Sequence, residues 1–343
     1  MRSVPAWMGA WVYQSTGDPK DVLRLESRVP VQQPGEGQVL IRVDAAAVNF
    51  ADSLVIRGSY QSTPPLPAVA GMEMCGRIVG TGPGVDLEVG ERVAGLGVSM
   101  SGAFGEYAVM DKGSAFRSPA DFSVVESACF TVAYQTAWFA LHVRGELGPR
   151  ESVVVHSAAG GVGLAAVQLA HASGARVIGI VGNEAKIPTA LDAGCAEVFV
   201  RGTPGLVDEV KRVTGGGADV IIDPVGGPAH SVSERVVRFG GRIVIVGFAS
   251  GHLPRVRPDL LMVKNYSVVG LHWGLYRSRR PDIVAAEYDR LHRCVSKASI
   301  RPVVSTVYDF SEVPKALAEV ESGGTAGRVA VSVWPATGDG GPR

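Results

Sequence analysis

The sequence predicts an α/β protein that combines a β-rich domain with a doubly wound parallel sheet. Short β-type runs separated by Gly and Pro turns occupy the first third of the chain, from about residue 9 to 125. From about residue 131 to 270, predicted strands alternate with predicted helices, which is typical of a parallel sheet covered on both faces. The length of 343 residues also exceeds the usual size of one hydrophobic core, so we expect two domains.

The individual elements follow from the hydrophobic pattern. In the β-rich region, the clearest strands are at residues 39–43 and 76–80. The alternating region has predicted strands at residues 153–156, 177–181, 196–200, 220–223 and 243–247, and predicted helices at residues 131–144, 164–172, 184–192, 205–214 and 227–237. The remaining chain is mixed, with helices at residues 283–297 and 311–322 and strands at residues 303–308 and 328–333.

These elements set the expected domain boundaries. We assign residues 1–130 and 275–343 to the first domain and residues 131–274 to the second. The cleft between two such domains is the expected place for an active site. Residues 1–7 are predicted to be a short extension before the first strand, and residues 338–343 a disordered tail.

The composition favours a small-molecule ligand. Lys plus Arg equals Asp plus Glu, at 33 each, which argues against a nucleic-acid partner held by net charge. No apolar run approaches the roughly 18 residues of a spanning helix, and no signal-peptide pattern is present. We therefore expect a cytoplasmic protein without membrane association. The four cysteines are far apart and form neither a CxxC pair nor a disulfide-like pattern, so we expect reduced thiols. They are Cys75, Cys129, Cys195 and Cys294.

The most informative motif is Ala158-x-Gly160-x-x-Gly163, which follows a predicted strand and opens a predicted helix. Gly160 and Gly161 allow backbone N–H groups to approach a pyrophosphate, and Gly163 allows the helix to pack closely on the strand. The N-terminus of that helix directs its partial positive charge at the anion. The motif predicts a bound dinucleotide, and the alternative is a tight turn without a ligand.

The second strand of the alternating region indicates which dinucleotide binds. A carboxylate at the end of this strand is typical of NAD sites, because it accepts hydrogen bonds from the ribose hydroxyls. This chain instead has Gly182 and Asn183 there, with Lys186 one helical turn later. Space and positive charge favour the 2′-phosphate of NADPH. Glu184 leaves NAD as the alternative, because a shift of the strand end would present its carboxylate to the ribose.

Asn49 and Asp52 stand three residues apart at the start of a predicted short helix. This spacing is typical of an N-cap residue and its reciprocal partner, so a structural role alone would explain both.

Further motifs occur in a fixed order along nearly the whole chain. They are Val48 to Ser53 with Arg57-Gly58-x-Tyr60, Gly71-Met72-Glu73, Gly90-Glu91-Arg92-Val93, Ala158 to Gly163, Asp223-x-Val225-Gly226-Gly227, Gly240-Gly241-Arg242 to Gly247, and Gly327-Arg328-Val329. In these motifs the chain resembles the zinc-independent medium-chain dehydrogenase/reductases of the quinone oxidoreductase (zeta-crystallin-like) type. The resemblance implies a GroES-like catalytic domain, completed by the C-terminal segment, and a Rossmann domain that binds NADPH.

The resemblance also implies that no metal is bound. Zinc-dependent relatives have a cysteine at the position of Asn49, a histidine at that of Met72, and a thiol or carboxylate near Val132. Catalytic zinc needs about three converging N, S or O side chains. We therefore expect hydride delivery to a carbon that is already electrophilic, without a Lewis acid.

The site residues come from the glycine motif and the end of the second strand, and the others are carried over from matching positions of the relatives. Asn49, Tyr60 and His272 are the catalytic candidates, although a tyrosine or a histidine at such a position more often only packs or forms a structural hydrogen bond. The predicted cofactor-binding residues are Asn49, Thr136, Ala159, Gly160, Gly161, Val162, Gly163, Gly182, Asn183, Lys186, Val225, Gly247, Phe248, Leu271 and Arg328. Residues 267–274 resemble the strand with which relatives extend their sheet across a two-fold axis, which favours a homodimer.

The function that these observations favour is NADPH-dependent reduction of quinones or activated C=C bonds, such as those of enones and acrylates. An enoyl-thioester reductase is the alternative enzyme, since the cluster of Arg277, Arg279 and Arg280 could bind a coenzyme A phosphate or be a solvated face. A non-catalytic NADPH-binding protein with a structural or regulatory role is the alternative of another class.

Overall fold

The structure, a computed structural model, describes residues 4–334. The predicted tail at residues 338–343 and the first three residues of the predicted extension lie outside this range, whereas Trp7 already belongs to the first strand. Within residues 4–334, no helix combines the length and apolar character that crossing a bilayer requires.

The strands, in chain order, are β1 (Trp7–Tyr13), β2 (Leu23–Pro30), β3 (Gln38–Val48), β4 (Ala68–Val69), β5 (Glu73–Thr81), β6 (Arg92–Leu96), β7 (Tyr107–Asp111), β8 (Ala115–Phe116), β9 (Ser152–His156), β10 (Arg176–Val181), β11 (Glu197–Val200), β12 (Ala218–Asp223), β13 (Val237–Ile245), β14 (Ser267–Gly270), β15 (Val304–Asp309) and β16 (Arg328–Ser332).

The helices, in chain order, are α1 (Pro19–Val22), α2 (Phe50–Ile56), α3 (Val124–Ala128), α4 (Thr131–Trp138), α5 (Gly161–Ala172), α6 (Ile187–Asp192), α7 (Leu206–Val213), α8 (Pro228–Val236), α9 (Pro258–Lys264), α10 (Trp273–Arg279), α11 (Pro281–Ala298) and α12 (Val313–Glu321). A π-helical segment, Phe139–Arg144, continues α4, and a 3₁₀ turn, Glu184–Lys186, precedes α6.

The chain divides into two compact units, one of residues 4–132 and 302–334 and the other of residues 133–301. We call them the β-rich unit and the nucleotide unit. The sequence pattern places residues 275–301 in the first domain, but here they belong to the nucleotide unit. The reason is α11, which buries Val284, Tyr288 and Leu291 and whose Glu287 accepts a hydrogen bond of 2.8 Å from Trp138 Nε1 in the same unit.

The nucleotide unit is built on one six-stranded parallel sheet in the order β11-β10-β9-β12-β13-β14. This is the strand order of a doubly wound dinucleotide-binding fold, so the predicted architecture is confirmed. All predicted elements of the alternating region are present with shifted ends. Val154, Ile178 and Ile221 of the central strands pack with Val210 of α7 and Val236 of α8 in one core.

The β-rich unit contains a three-stranded sheet, β2-β1-β4, and a seven-stranded sheet in which β3 is central. β3 pairs with β5, β7 and β16, so the last described strand of the chain lies beside one of the first. The core between these strands and α12 includes Ile41, Met74, Phe104, Leu317 and Val331.

Candidate cofactor site and active site

The predicted dinucleotide motif forms the turn between β9 and α5. Ser157 follows the last residue of β9 and has a φ of +54°, a left-handed conformation that is uncommon for a residue with a side chain. Ala158 and Ala159 are fully buried, and Gly160 is the N-cap of α5. The helix begins at Gly161, three residues earlier than the sequence pattern predicts, because the glycines themselves adopt helical geometry.

The turn fits a pyrophosphate. A Cβ atom on Gly163 would lie 2.0 Å from the Ser157 carbonyl oxygen, so this position accepts only glycine. A Cβ on Gly160 would lie 2.8 Å from Ser157 Oγ. Since Gly160 has no side chain with which to cap the helix, the first N–H groups of the 12-residue α5, including that of Val162, are available to an anion.

The end of β10 leaves space beside a cation. Around a Cβ placed on Gly182 there is no atom within 4 Å in the part of the chain that the structure describes. Asn183 is exposed and begins the 3₁₀ turn that ends at Lys186. Burial lowers the pKa of the half-buried Lys186 ammonium, and the positive charge of Arg201 lowers it further. The charges of Lys186 and Arg201 therefore act on each other.

Arg201 is the cofactor candidate that the sequence patterns did not reveal. It directly follows β11, and its backbone N–H donates a 2.8 Å hydrogen bond to the Val181 carbonyl at the end of β10. Burial lowers the pKa of Arg201, whereas the charge of Asp223 acts in the opposite direction. A basic residue immediately after the third strand of a parallel sheet was the signal that could have identified it, since carboxyl ends of parallel strands meet at one edge.

The loop after β12 is held from both sides. Asp223 Oδ1 accepts hydrogen bonds from the N–H groups of Val225 (3.0 Å) and Gly226 (2.9 Å). The Val225 carbonyl accepts a 3.0 Å bond from Ser250 N. Both backbone groups of Val225 are thus engaged, so its position relative to β12 is fixed.

The remaining predicted residues of this edge follow β13 and β14. Gly247 lies against the Pro224 carbonyl, 3.3 Å from where a Cβ would be, and Phe248 is 37% exposed. Leu271 is buried. His272 is the N-cap of α10, and its Nδ1 accepts a 3.1 Å bond from Leu275 N. In the neutral ring the proton is therefore on Nε2.

Thr136 lies half-buried on α4. Its neighbour Gln135 is a further candidate that was missed. The Gln135 side chain is almost fully buried, and within residues 4–334 neither atom of its amide has a hydrogen-bond partner. A buried primary amide without partners is costly, which makes it a candidate for ligand recognition.

In the β-rich unit, the structure brings Asn49 and Arg328 together although 279 residues separate them. Arg328 Nη1 donates to Asn49 Oδ1 (3.0 Å) and Nη2 donates to Glu73 Oε2 (2.6 Å). Asn49 Nδ2 donates to the same Glu73 oxygen (3.0 Å), while Glu73 Oε1 accepts from Val132 N (2.7 Å). A guanidinium only donates and a carboxylate only accepts, so the amide orientation is fixed, and one Asn49 N–H has no acceptor among the described residues.

Asp52 is hydrogen-bonded to the backbone of this group. Its Oδ2 accepts from Asn49 N (2.7 Å), as the capping pattern predicts, and its Oδ1 accepts from Met72 N (3.1 Å). The Asn49 side chain, in contrast, bonds to Glu73 and Arg328. Burial raises the pKa of Asp52 to about 7, with the Glu73 charge acting in the same direction. Burial also raises the pKa of the half-buried Tyr60, and the Asp52 charge contributes.

Other sequence features receive specific positions. At the zinc-ligand positions of relatives, Met72 is buried and the Val132 N–H is bonded to Glu73. Among residues 4–334, His, Cys, Asp and Glu side chains form no group of three that could hold a metal ion. Of the arginine cluster, Arg277 and Arg279 lie in the last turn of α10, and Arg280 forms a 2.8 Å ion pair with Asp282.

Two family models match the chain. Residues 35–120 match the alcohol dehydrogenase GroES-like domain, and residues 161–288 match the zinc-binding dehydrogenase model. The first region lies in the β-rich unit and the second in the nucleotide unit.

Individual proteins are similar over almost the full length. Quinone oxidoreductase-like protein 2 of Mus musculus is 33% identical over 342 residues, covering 96% of this chain and 97% of the relative. The synaptic vesicle membrane protein VAT-1 homolog of Homo sapiens is 30% identical, with 92% and 84% covered. The quinone oxidoreductase of Thermus thermophilus, solved also as its complex with NADPH, has a TM-score of 0.82 at 31% identity, covering 95% of this chain and 100% of that one. The predicted resemblance is thereby confirmed, and the chain belongs to the medium-chain dehydrogenase/reductase family, with quinone oxidoreductase-like proteins among its relatives.

Proposed function

We propose that this protein is an NADPH-dependent oxidoreductase that transfers hydride to quinones or to activated C=C bonds without zinc. The carboxyl edge of the parallel sheet is the observation that carries this proposal. It combines a glycine turn that fits a pyrophosphate with an open space at Gly182 beside Lys186 and Arg201. A 2′-phosphate is the group that such a space and two cations suit.

NADPH supplies a hydride when it is bound, and the protein supplies position and proton control. Asn49, whose amide is held by Arg328 and Glu73, retains one N–H with which to orient a bound group. Tyr60 and the Nε2–H of His272 are the proposed proton donors. The zinc positions of relatives carry an amide, a thioether and a valine side chain, none of which is a usual zinc ligand. Positioning therefore accounts for most of the catalysis.

A substrate panel tests the reaction. Purified protein with NADPH is offered 1,4-benzoquinone, 9,10-phenanthrenequinone, simple enones, an acrylate and crotonyl-CoA, with a primary alcohol and NADP⁺ as the control reaction. We expect NADPH oxidation with quinones or enones. Oxidation with crotonyl-CoA alone would favour the enoyl-thioester reductase, for which the structural support is the pair Arg277 and Arg279 in the last turn of α10. Tight NADPH binding without any turnover would favour the non-catalytic function, and alcohol oxidation would contradict the absence of zinc chemistry.

Cofactor selectivity tests the two cations. Lys186→Ala and Arg201→Ala should each raise the KM for NADPH about tenfold to a hundredfold and leave the KM for NADH unchanged, because a charge-assisted hydrogen bond is worth about 1.5–3 kcal/mol. Arg176→Ala is the matched control. Arg176 is the first residue of β10, so it lies at the amino ends of the parallel strands, away from the proposed site, and it pairs with Glu197. Equal losses with NADPH and NADH would contradict 2′-phosphate recognition.

We further propose a cytoplasmic homodimer. β14 is an edge strand of the six-stranded sheet, and the neighbouring segments expose large apolar side chains. Leu253 is 72%, Met262 71%, Val263 68% and Leu275 54% exposed. An edge strand beside such a surface favours pairing with a second copy through a two-fold axis. The four free cysteines fit a reducing compartment.

A further inference from the structure

The nucleotide unit contains a mostly buried group of ionisable side chains, of which the proposed function uses only Arg201. We call it the imidazole–carboxylate cluster, and it consists of His156, Arg201, Asp223, His230 and Glu234. Within residues 4–334, five of its buried polar atoms have no hydrogen-bond partner: His156 Nδ1, Arg201 Nε, Asp223 Oδ2, and both ring nitrogens of His230. So many unsatisfied atoms in one place require a functional explanation.

His230 lies between two carboxylates. Its Nδ1 is 3.4 Å from Asp223 Oδ2, and its Nε2 is 3.8 Å from Glu234 Oε1. The His230 ring and both carboxylates are almost completely buried. A neutral imidazole has one N–H, so it can donate to one carboxylate and must turn a lone pair toward the other. Only the doubly protonated ring can donate to both.

His156 cannot take this role. Its Nε2 is 2.9 Å from Ser233 Oγ, and the Ser233 hydroxyl donates to the Ala229 carbonyl (3.1 Å). The hydroxyl oxygen therefore accepts from His156 Nε2–H, which leaves Nδ1 as a lone pair. Burial lowers the pKa of His156 to about 4, so this ring stays neutral near neutral pH.

The groups around Glu234 are committed elsewhere. Glu234 Oε1 accepts from Arg257 N (2.7 Å) and from the Tyr266 hydroxyl (3.0 Å). The nearby Lys264 ammonium donates to three backbone carbonyls at the C-terminal end of α8, each at 2.9 Å. Lys264 therefore acts as a cap of α8 rather than as a cation for His230.

The charges of Arg201 and Asp223 act on each other, since the Asp223 carboxylate opposes the lowering of the Arg201 pKa that burial causes. Burial acts to raise the pKa of Asp223, but the contact with His230, the nearby His156 and the two backbone N–H groups together hold it below its usual value. Asp223 is thus a carboxylate whose first oxygen positions the loop at Val225 and whose second oxygen faces His230.

We propose that His230 is a positioning residue that takes up a proton when the 2′-phosphate of NADPH binds at Arg201. The proposal rests on the proposed role of Arg201. A phosphate dianion at the guanidinium neutralises the cation that compensates Asp223, and this favours a proton on the imidazole between the two carboxylates. The resulting imidazolium holds Asp223 in place, and Asp223 keeps the loop at Val225 in its binding position.

Linkage gives the proposal a measurable form. If binding takes up a proton, the affinity for NADPH falls as the pH rises, by up to about tenfold per pH unit for one proton. NADH has no 2′-phosphate, so its affinity should lack this dependence. The effect belongs to binding and is independent of turnover.

Titration calorimetry tests the uptake. NADPH and NADH are titrated into the full-length protein between about pH 7.5 and 8.5, in HEPES and in Tris, whose ionisation enthalpies differ. Because the second phosphate pKa is about 6, the free 2′-phosphate is already a dianion there. We expect an uptake of up to about one proton with NADPH and none with NADH. Both His230→Asn and His230→Gln should abolish it, whereas the control His171→Gln, at an exposed histidine of the same unit, should retain it.

The outcomes separate the two proposals. Equal proton uptake with NADPH and NADH, or uptake that persists in the His230 variants, would overturn the role of His230 even if Arg201→Ala shows the expected loss of NADPH selectivity. Unchanged selectivity in Arg201→Ala would instead overturn the 2′-phosphate site. NADH affinity and the melting temperature of each variant establish that it is folded. The two substitutions at His230 place an uncharged amide at different distances from the backbone, and neither amide can take up a proton near neutral pH.

Discussion

The orientation of Asn49 illustrates what single residues decide in this protein. Its amide lies between a guanidinium that can only donate and a carboxylate that can only accept, so a wrong rotation would place like dipoles together. Asn49 and Arg328 were both candidates from the family resemblance. Their contact could not be predicted, because it depends on β16 pairing with β3, and Glu73 as their common partner follows only from that pairing.

At the same scale, Asp52 should make stability depend on pH. Its pKa is raised to about 7 in the folded protein, so the folded state holds a proton that the unfolded state has lost. The stabilisation is complete below about pH 4 and is lost as the pH rises through about 7, by up to about 4 kcal/mol at about 1.4 kcal/mol per pKa unit. Urea unfolding at several pH values measures this difference between the wild type and Asp52→Asn, which has no such titration.

Asp111→Asn is the control for this comparison, because Asp111 belongs to the same unit and makes an exposed 3.1 Å bond to Gln38. It should follow the pH dependence of the wild type. A constant difference in unfolding free energy between the wild type and Asp52→Asn from about pH 4 to about pH 7 would contradict the raised pKa.

At the scale of elements, the boundary between β14 and α10 could not be predicted from the apolar pattern. The apolar run at residues 267–274 resembles one strand, but the strand ends at Gly270 and α10 begins at Trp273. The reason is that His272 caps the helix through Nδ1. Preferred N-cap residues are Ser, Thr, Asp and Asn, so a histidine gives no recognisable start signal.

α9 carries the prediction about assembly. This helix has no buried residue in the isolated chain, yet Met262 and Val263 are large and apolar. If α9 and β14 form the two-fold interface, Met262→Glu combined with Val263→Glu should convert a dimer to a monomer, because buried unpaired charges at an interface are costly. Size-exclusion chromatography with light scattering gives the mass.

Leu191→Glu serves as the matched control, because Leu191 is 44% exposed on α6, beside the opposite edge of the sheet. It should leave the mass unchanged. A wild-type protein of one-chain mass at micromolar concentration would refute the proposed dimer.

At the scale of the whole molecule, the alternation of strands and helices was sufficient to predict the doubly wound sheet, and that sheet brings the loops that follow its strands to one edge. The glycine turn and Lys186 could therefore be proposed as site residues from the sequence alone. The contact of His230 with Asp223 could not, because it depends on the packing of α8 on β12, whereas Glu234 is four residues from His230 on the same helix. Likewise, the spacing of apolar residues in α11 shows that one face of the helix is buried, but it does not show against which unit that face packs.

The pairing of β3 with β16 has a consequence for biosynthesis. The nucleotide unit is one continuous segment, residues 133–301, and can complete its core while the ribosome is still at work. The β-rich unit needs residues 302–334, which emerge only after the nucleotide unit. Until then, residues Ala45 to Val48 of β3 lack their partners Val329 to Ser332 and present an open sheet edge. The order of translation, rather than the stability of the finished fold, therefore sets the period in which this protein is most exposed to aggregation and to chaperones.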